Sequence, residues 1–166
     1  MSETDGPIGL ILVPTRELAE QISAVVRSFF SGFGVNQLCI TGGQSEWHQK
    51  KTLFNQSFHG TPGRFIDLVN QKYVSLNRVT YVVLDEADRM VSMGFEQQIR
   101  SLLSVIRPDV QLVLFSATFP PRIVQMAVDL MESPVRVAVG KTGMANKQIQ
   151  QEIYVLKVRL MDSSHV

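Results

Sequence analysis

An α/β fold with a mostly parallel sheet and helices on both faces is the architecture this sequence predicts, on three observations. Short apolar runs of strand length, at residues 10–13, 38–40, 81–84 and 112–115, alternate with stretches of helical periodicity, which is the pattern of repeated strand–helix–strand units. The run at 81–84 is β-branched and aromatic and ends abruptly in charge, as a strand buried on both faces would. Each of the four runs ends in a polar signature: Pro14-Thr15-Arg16, Thr41-Gly42-Gly43, Asp85-Glu86-Ala87-Asp88 and Ser116-Ala117-Thr118. In a parallel sheet these ends share one edge, where open α/β sheets hold their ligands.

Taken in order, residues 1–7 read as a short polar lead. After the first strand, Glu17, Leu18, Gln21, Ile22, Val25, Val26 and Phe29 form a stripe at helical spacing, stopped by Gly32 and Gly34. The strand at 38–40 follows. Ser45 is then placed to cap a helix carrying Trp47, Lys50, Lys51 and Leu53. Residues 55–60 are polar and broken and predict no good strand. Thr61-Pro62-Gly63-Arg64 opens a helix through Leu68 and Val69, with Pro62 suited to its first turn. The central strand at 81–84 leads to an amphipathic helix over 95–106 that stops before Pro108. The strand at 112–115 leads to a helix from Pro121 through Met131, with Met126 and Met131 at or near the core. A last strand is predicted at 135–139, followed by a polar tail.

With 166 residues the chain suffices for one domain with a real core. Hydrophobic residues make up 45% and charged residues 19%, which excludes a disordered chain. A net charge of +1 excludes a global field for nucleic acid, so such contact must be local. The single cysteine, Cys39, lies in an apolar run and predicts a small core residue in a reducing compartment. No run has the length of a membrane span, and the N-terminus is acidic. The expected place is intracellular, nucleus or cytoplasm.

Three acids within Asp85-Glu86-Ala87-Asp88 repel one another unless something offsets them. A hard cation such as Mg²⁺, which keeps several waters, is one counter-charge; a solvated acidic turn is the plainer alternative. Gly42 and Gly43 would let backbone N–H groups approach a phosphate, or form an ordinary tight turn. Arg16 and Arg64 can fork onto phosphate oxygens, although Arg64 equally suits a solvated helix start. His48, His59 and His165 have no ligand spacing.

Together these motifs resemble the DEAD-box family of ATP-dependent RNA helicases. Pro14-Thr15-Arg16-Glu17-Leu18-Ala19, Gly42-Gly43, Thr61-Pro62-Gly63-Arg64, Asp85-Glu86-Ala87-Asp88 and Ser116-Ala117-Thr118 occur in the family's order. The resemblance implies an incomplete RecA-like (P-loop NTPase) domain, with ATP and Mg²⁺ as cofactors and RNA as partner. It implies that Asp85 holds Mg²⁺ through water and that Glu86 orients and deprotonates the attacking water. Asp88 would bond to Ser116 and Thr118, the link that couples hydrolysis to strand separation. Pro14, Thr15, Arg16, Gly42, Gly43, Thr61, Pro62, Gly63 and Arg64 would face the RNA backbone, reading phosphates rather than bases.

The chain departs from that family in one respect above all. It contains no Gly-x-x-x-x-Gly-Lys-Ser/Thr, so no nucleotide phosphate loop is present; Gly140-Lys141-Thr142 lacks the upstream glycine. The resemblance therefore implies a partial helicase domain over 1–140 without that segment, then a linker-like tail over 141–166, with the second domain absent. It further implies that the chain is inactive alone and that the missing strand would leave one edge of the 81–84 strand open. A non-catalytic RNA- or protein-interaction fragment is the alternative.

Overall fold

The computed structural model describes residues 6–33, 37–43, 57–139, 152 and 154. By internal contacts the chain divides into two units, Met1–Val135 and Arg136–Val166. The first holds all regular structure among the described residues. In chain order it runs β1 (Gly9–Leu12), α1 (Arg16–Phe30), β2 (Gln37–Ile40), β3 (Ser57–Gly60) and α2 (Pro62–Asn70). Then follow β4 (Tyr81–Leu84), α3 (Ala87–Ser92), α4 (Glu96–Leu103), β5 (Gln111–Leu114) and α5 (Pro121–Leu130).

The strands form one sheet in the order β2-β3-β1-β4-β5, and every pair is parallel. The connection from β1 to β2 runs one way along the sheet, while those from β3 to β4 and β4 to β5 run the other. Right-handed crossovers then place α1 on one face and α2, α3 and α4 on the opposite face. Accordingly α1 packs on β2 and β3, and α2 packs on α4.

Burial is uneven between the faces. Leu10, Leu12, Phe58, Val82 and Leu84 are fully buried, in one cluster with Phe65, Leu68, Met90, Ile99, Leu102, Ile123 and Met126. The side chains of opposite phase, Ile11, Val83 and Val113, are only half-buried. On that face α1 contributes Ala19 as its one fully buried residue. Its predicted stripe is only partly used: Val25 and Phe29 are exposed.

Four expectations need correction. Residues 57–60 do form a strand, and not a marginal one. β3 lies between β2 and β1, Phe58 packs on Phe65 at 6.2 Å between ring centroids, and Phe58 and His59 are both 1% exposed. One buried aromatic and backbone pairing on both sides outweigh the polar composition. Second, β4 has no open edge, because β1 and β5 flank it; the two edges without a described outer neighbour are β2 and β5. Third, residues 135–139 form no strand, and Val135, Val137 and Val139 are exposed. Fourth, the acidic segment after β4 is not a plain turn but opens the short helix α3. The expected helix from Ser45, with Trp47, lies outside the described residues.

Candidate functional site

The strand ladders continue one residue past the strands, and this sets the common edge. Val13 N–H donates to Gly60 O (2.9 Å), Thr61 N–H to Ile40 O (3.1 Å), Asp85 N–H to Leu12 O (2.9 Å) and Phe115 N–H to Leu84 O (2.8 Å). Each bond fixes the backbone where a sequence signature begins. The five strand ends therefore present their motifs side by side.

At the end of β4, Asp85 Oδ1 accepts the Glu86 N–H at 2.9 Å. Glu86 adopts a left-handed conformation (φ 53°, ψ 49°) as the residue before α3. A non-glycine residue there is strained, and such strain concentrates at functional sites. Glu86 Oε2 lies 3.2 Å from Arg89 Nη1. Ala87 is fully buried and donates its N–H to Phe115 O at 3.0 Å, which ties the start of α3 to the end of β5.

Asp88 makes the densest set of contacts. Its Oδ2 accepts the Thr118 N–H (3.0 Å) and the Thr118 hydroxyl (2.5 Å), and its Oδ1 accepts the Arg89 N–H (3.0 Å). Its own N–H donates to Ser116 Oγ at 3.2 Å, and the Ser116 hydroxyl donates to Thr118 O at 2.7 Å. Partial burial pushes the Asp88 carboxyl upward, but the bonds from Thr118 and Ser116 outweigh it and hold the group below its ordinary range. The repulsion among the three acids is thus relieved separately. Arg89 faces Glu86, hydroxyl and amide donors face Asp88, and the Glu86 amide faces Asp85.

A second cluster gathers at the ends of β1, β2 and β3. Pro14 is buried, and Thr15 caps α1 with its Oγ1 accepting the Leu18 N–H at 3.3 Å. The Arg16 Nε pairs with Glu20 Oε1 at 2.8 Å, with both side chains about half exposed. Gly43 has φ +77°, a conformation that suits glycine, and a Cβ there would meet Arg16 Nη1 at 3.5 Å. The first and second signatures therefore lie next to each other. Thr61 precedes α2 with no side-chain capping bond, Pro62 starts the helix and Gly63 lies against Phe95. Arg64 is only 9% exposed, so it is not the solvated helix-start residue its position allowed.

Sequence reasoning missed Arg89 and Glu20 as partners of Glu86 and Arg16. Both stand at helical spacing, three and four residues on, where side chains meet. The left-handed Glu86 and the buried Arg64 carried no sequence signal.

An open parallel α/β sheet whose strand ends carry a carboxylate cluster latched to a neighbouring strand defines an open α/β class of domain with its candidate site at the strand ends. Comparison narrows it. The DEAD/DEAH box helicase family model matches residues 1–127. The chain is 43% identical over 158 residues to DEAD-box ATP-dependent RNA helicase 24 of Arabidopsis thaliana, covering 94% of this chain and 21% of that protein. It is 46% identical over 154 residues to human ATP-dependent RNA helicase DDX42, covering 92% and 16%. Among solved structures, a DEAD box protein from the hyperthermophile Methanococcus jannaschii superposes with a TM-score of 0.75 at 37% identity, covering 80% of this chain and 37% of that one. The chain belongs to the DEAD/DEAH box helicase family, and it spans about a fifth of the length of the curated relatives it matches.

Proposed function

We propose that this chain supplies the carboxylate edge and the RNA-backbone face of an ATP-dependent RNA helicase, from a partial core domain over 1–140 with a linker-like tail over 141–166, and that alone it does not hydrolyse ATP. The observation that carries this reading is the latch of Asp88 on Ser116 and Thr118. It joins the strand end bearing Asp85 and Glu86 to the next strand end, so that a change at one is felt at the other. RNA inside the cell, in nucleus or cytoplasm, is the partner the reading requires.

The fit to cofactors is divided. Among the described residues no three His, Cys, Asp or Glu side chains converge to hold a metal. A lone carboxylate such as Asp85 still suits Mg²⁺ held through its water shell. Bound there, the ion would neutralise phosphate charge. In this reading Glu86 orients and deprotonates a water, which requires it to share or release Arg89, 3.2 Å away. The phosphates have no such fit, because the sequence holds no phosphate loop and lysine.

Thr15, Arg16, Gly42, Gly43, Thr61, Pro62, Gly63 and Arg64 form the face proposed for the sugar-phosphate chain, with Pro14 buried behind it. Arg16 is the cation most open to solvent there, and phosphate must compete with Glu20 for it. Two measurements test the reading. RNA-stimulated phosphate release by this chain, abolished in Glu86→Gln, would overturn the inactivity. RNA binding should be weak and fall with salt, by roughly one log–log unit per phosphate neutralised, and Arg16→Ala should weaken unrelated RNAs alike. A strong preference for one RNA sequence would contradict a backbone-reading face.

A further inference from the structure

We propose that Glu96 and Arg122 form an ionic clasp that positions the Ser116-Ala117-Thr118 loop against Asp88. Glu96 is the first residue of α4, and its side chain is 19% exposed. Both of its oxygens are engaged: Oε2 accepts Arg122 Nε at 2.8 Å and Oε1 accepts Arg100 Nε at 3.1 Å. Arg100 Nη2 in turn donates to Asp129 Oδ2 at 2.8 Å. Arg122 lies in the first turn of α5 and Asp129 in its last, so α5 is bonded to α4 at both ends.

The path from this clasp to the latch is short and stiff. Between Thr118 and Arg122 lie only Phe119, Pro120 and Pro121. Phe119 packs against the core cluster, Pro120 has φ −62°, and its carbonyl accepts the N–H groups of Ile123 and Val124. Two successive prolines remove the backbone freedom that would otherwise absorb a movement of α5. On the other side Asp88 connects to Glu96 through α3 and the Gly94 turn. Latch and clasp therefore close one ring: Asp88, α3, Glu96, Arg122, the proline pair, Thr118 and Asp88 again. An isolated exposed ion pair would carry little. Here the acid is largely covered, uses both oxygens and belongs to a chain of four charges. The two arginines, Arg122 foremost, hold the Glu96 carboxyl below its usual range.

The functional meaning of the ring rests on the helicase reading above; its geometry does not. The test uses residue-resolved amide exchange on the 166-residue chain, with no nucleotide or RNA present, so that failure of the helicase reading leaves it intact. Arg122→Ala and Glu96→Gln should speed exchange at the Thr118 and Asp88 amides about tenfold. The Ala87 and Phe115 amides, which bond to backbone oxygens, should stay unchanged. Arg122→Lys should restore protection, and Arg107→Ala, which removes an exposed pair elsewhere, should have no effect. If Glu96→Gln does not fold, the exposed Arg122→Ala carries the test. Protection at Thr118 and Asp88 that is unaltered, or lost only in step with every other amide, would overturn the proposal.

Discussion

A Cβ placed on Gly60 would fall 1.8 Å from the Ile40 carbonyl oxygen, a contact that real side chains do not make. β2 and β3 must separate to admit it. Gly60→Ala should therefore destabilise the chain by about 2–3 kcal/mol, at the upper end of overpacking costs, as read from urea midpoints. Beside it, His59 is 1% exposed and its Nε2 has no hydrogen-bond partner among the described residues. Burial, assisted by Arg27, lowers its pKa from 6.5 to about 4. The unfolded chain then binds more protons between those values, so stability is full above pH 6.5 and falls as pH drops towards 4. The loss approaches ~3 kcal/mol for this one group. Denaturation at pH 7, 6 and 5 should show that slope, and His59→Gln should flatten it. A slope unchanged by the substitution would assign it elsewhere. Asp88, whose folded pKa is lowered, contributes only in a lower window, losing its share as pH falls below the ordinary carboxylate range. At this scale the sequence motifs were legible because each is contiguous. Glu96 and Arg122 were not, because only the tertiary fold brings them together.

Strands are legible here where the apolar run is unbroken, whatever the cover on each face. β4 matches its predicted bounds at Tyr81–Leu84, although Tyr81 is exposed and Val83 half-buried rather than covered on both faces as the run predicted, and β1 and β5 match to within a residue. β3 escaped because only Phe58 supplies apolar bulk, its other positions being Ser57, His59 and Gly60. α3 escaped because its opening is acidic and its six residues are too few for periodicity, although Met90 and Val91 are buried. Conversely, alternating valines at 135–139 imitate a strand, yet they have no described partner. A pair of substitutions separates these cases. Phe58→Ala should cost about 3 kcal/mol or more, as a buried aromatic truncation does. Val137→Ser, at a side chain 79% exposed, should stay within about 0.5 kcal/mol of wild type. Thermal melts of the two variants check both, and a silent Phe58→Ala would mean that β3 contributes little to the sheet.

Strand order cannot be read from a single sequence, and it decides where this chain is weakest. The vulnerable place is β5 rather than β4. Gln111 and Phe115 donate their N–H groups towards β4. The alternate residues Leu112 and Leu114 therefore turn N–H and C=O groups outward, where no described strand meets them. Nothing on Gln111-Leu112-Val113-Leu114-Phe115 deters pairing, for the stretch holds no charge and no proline, and Phe115 is 56% exposed. Ile11, Val83 and Val113 add a half-covered apolar face beside it. Leaving two or three large side chains uncovered forgoes about 1.5–3 kcal/mol each, against a total of about 5–15 kcal/mol for a typical domain. The 166-residue chain should accordingly be marginally stable, bind a hydrophobic dye and associate through this edge. Val113→Lys places a charge on the strand without removing a fully buried contact. It should slow association, measured by light scattering, while the same substitution at the remote exposed Val25 should not. A monodisperse wild-type monomer melting cooperatively above about 55 °C, well within the ordinary mesophilic range, would show instead that the β5 edge is already closed.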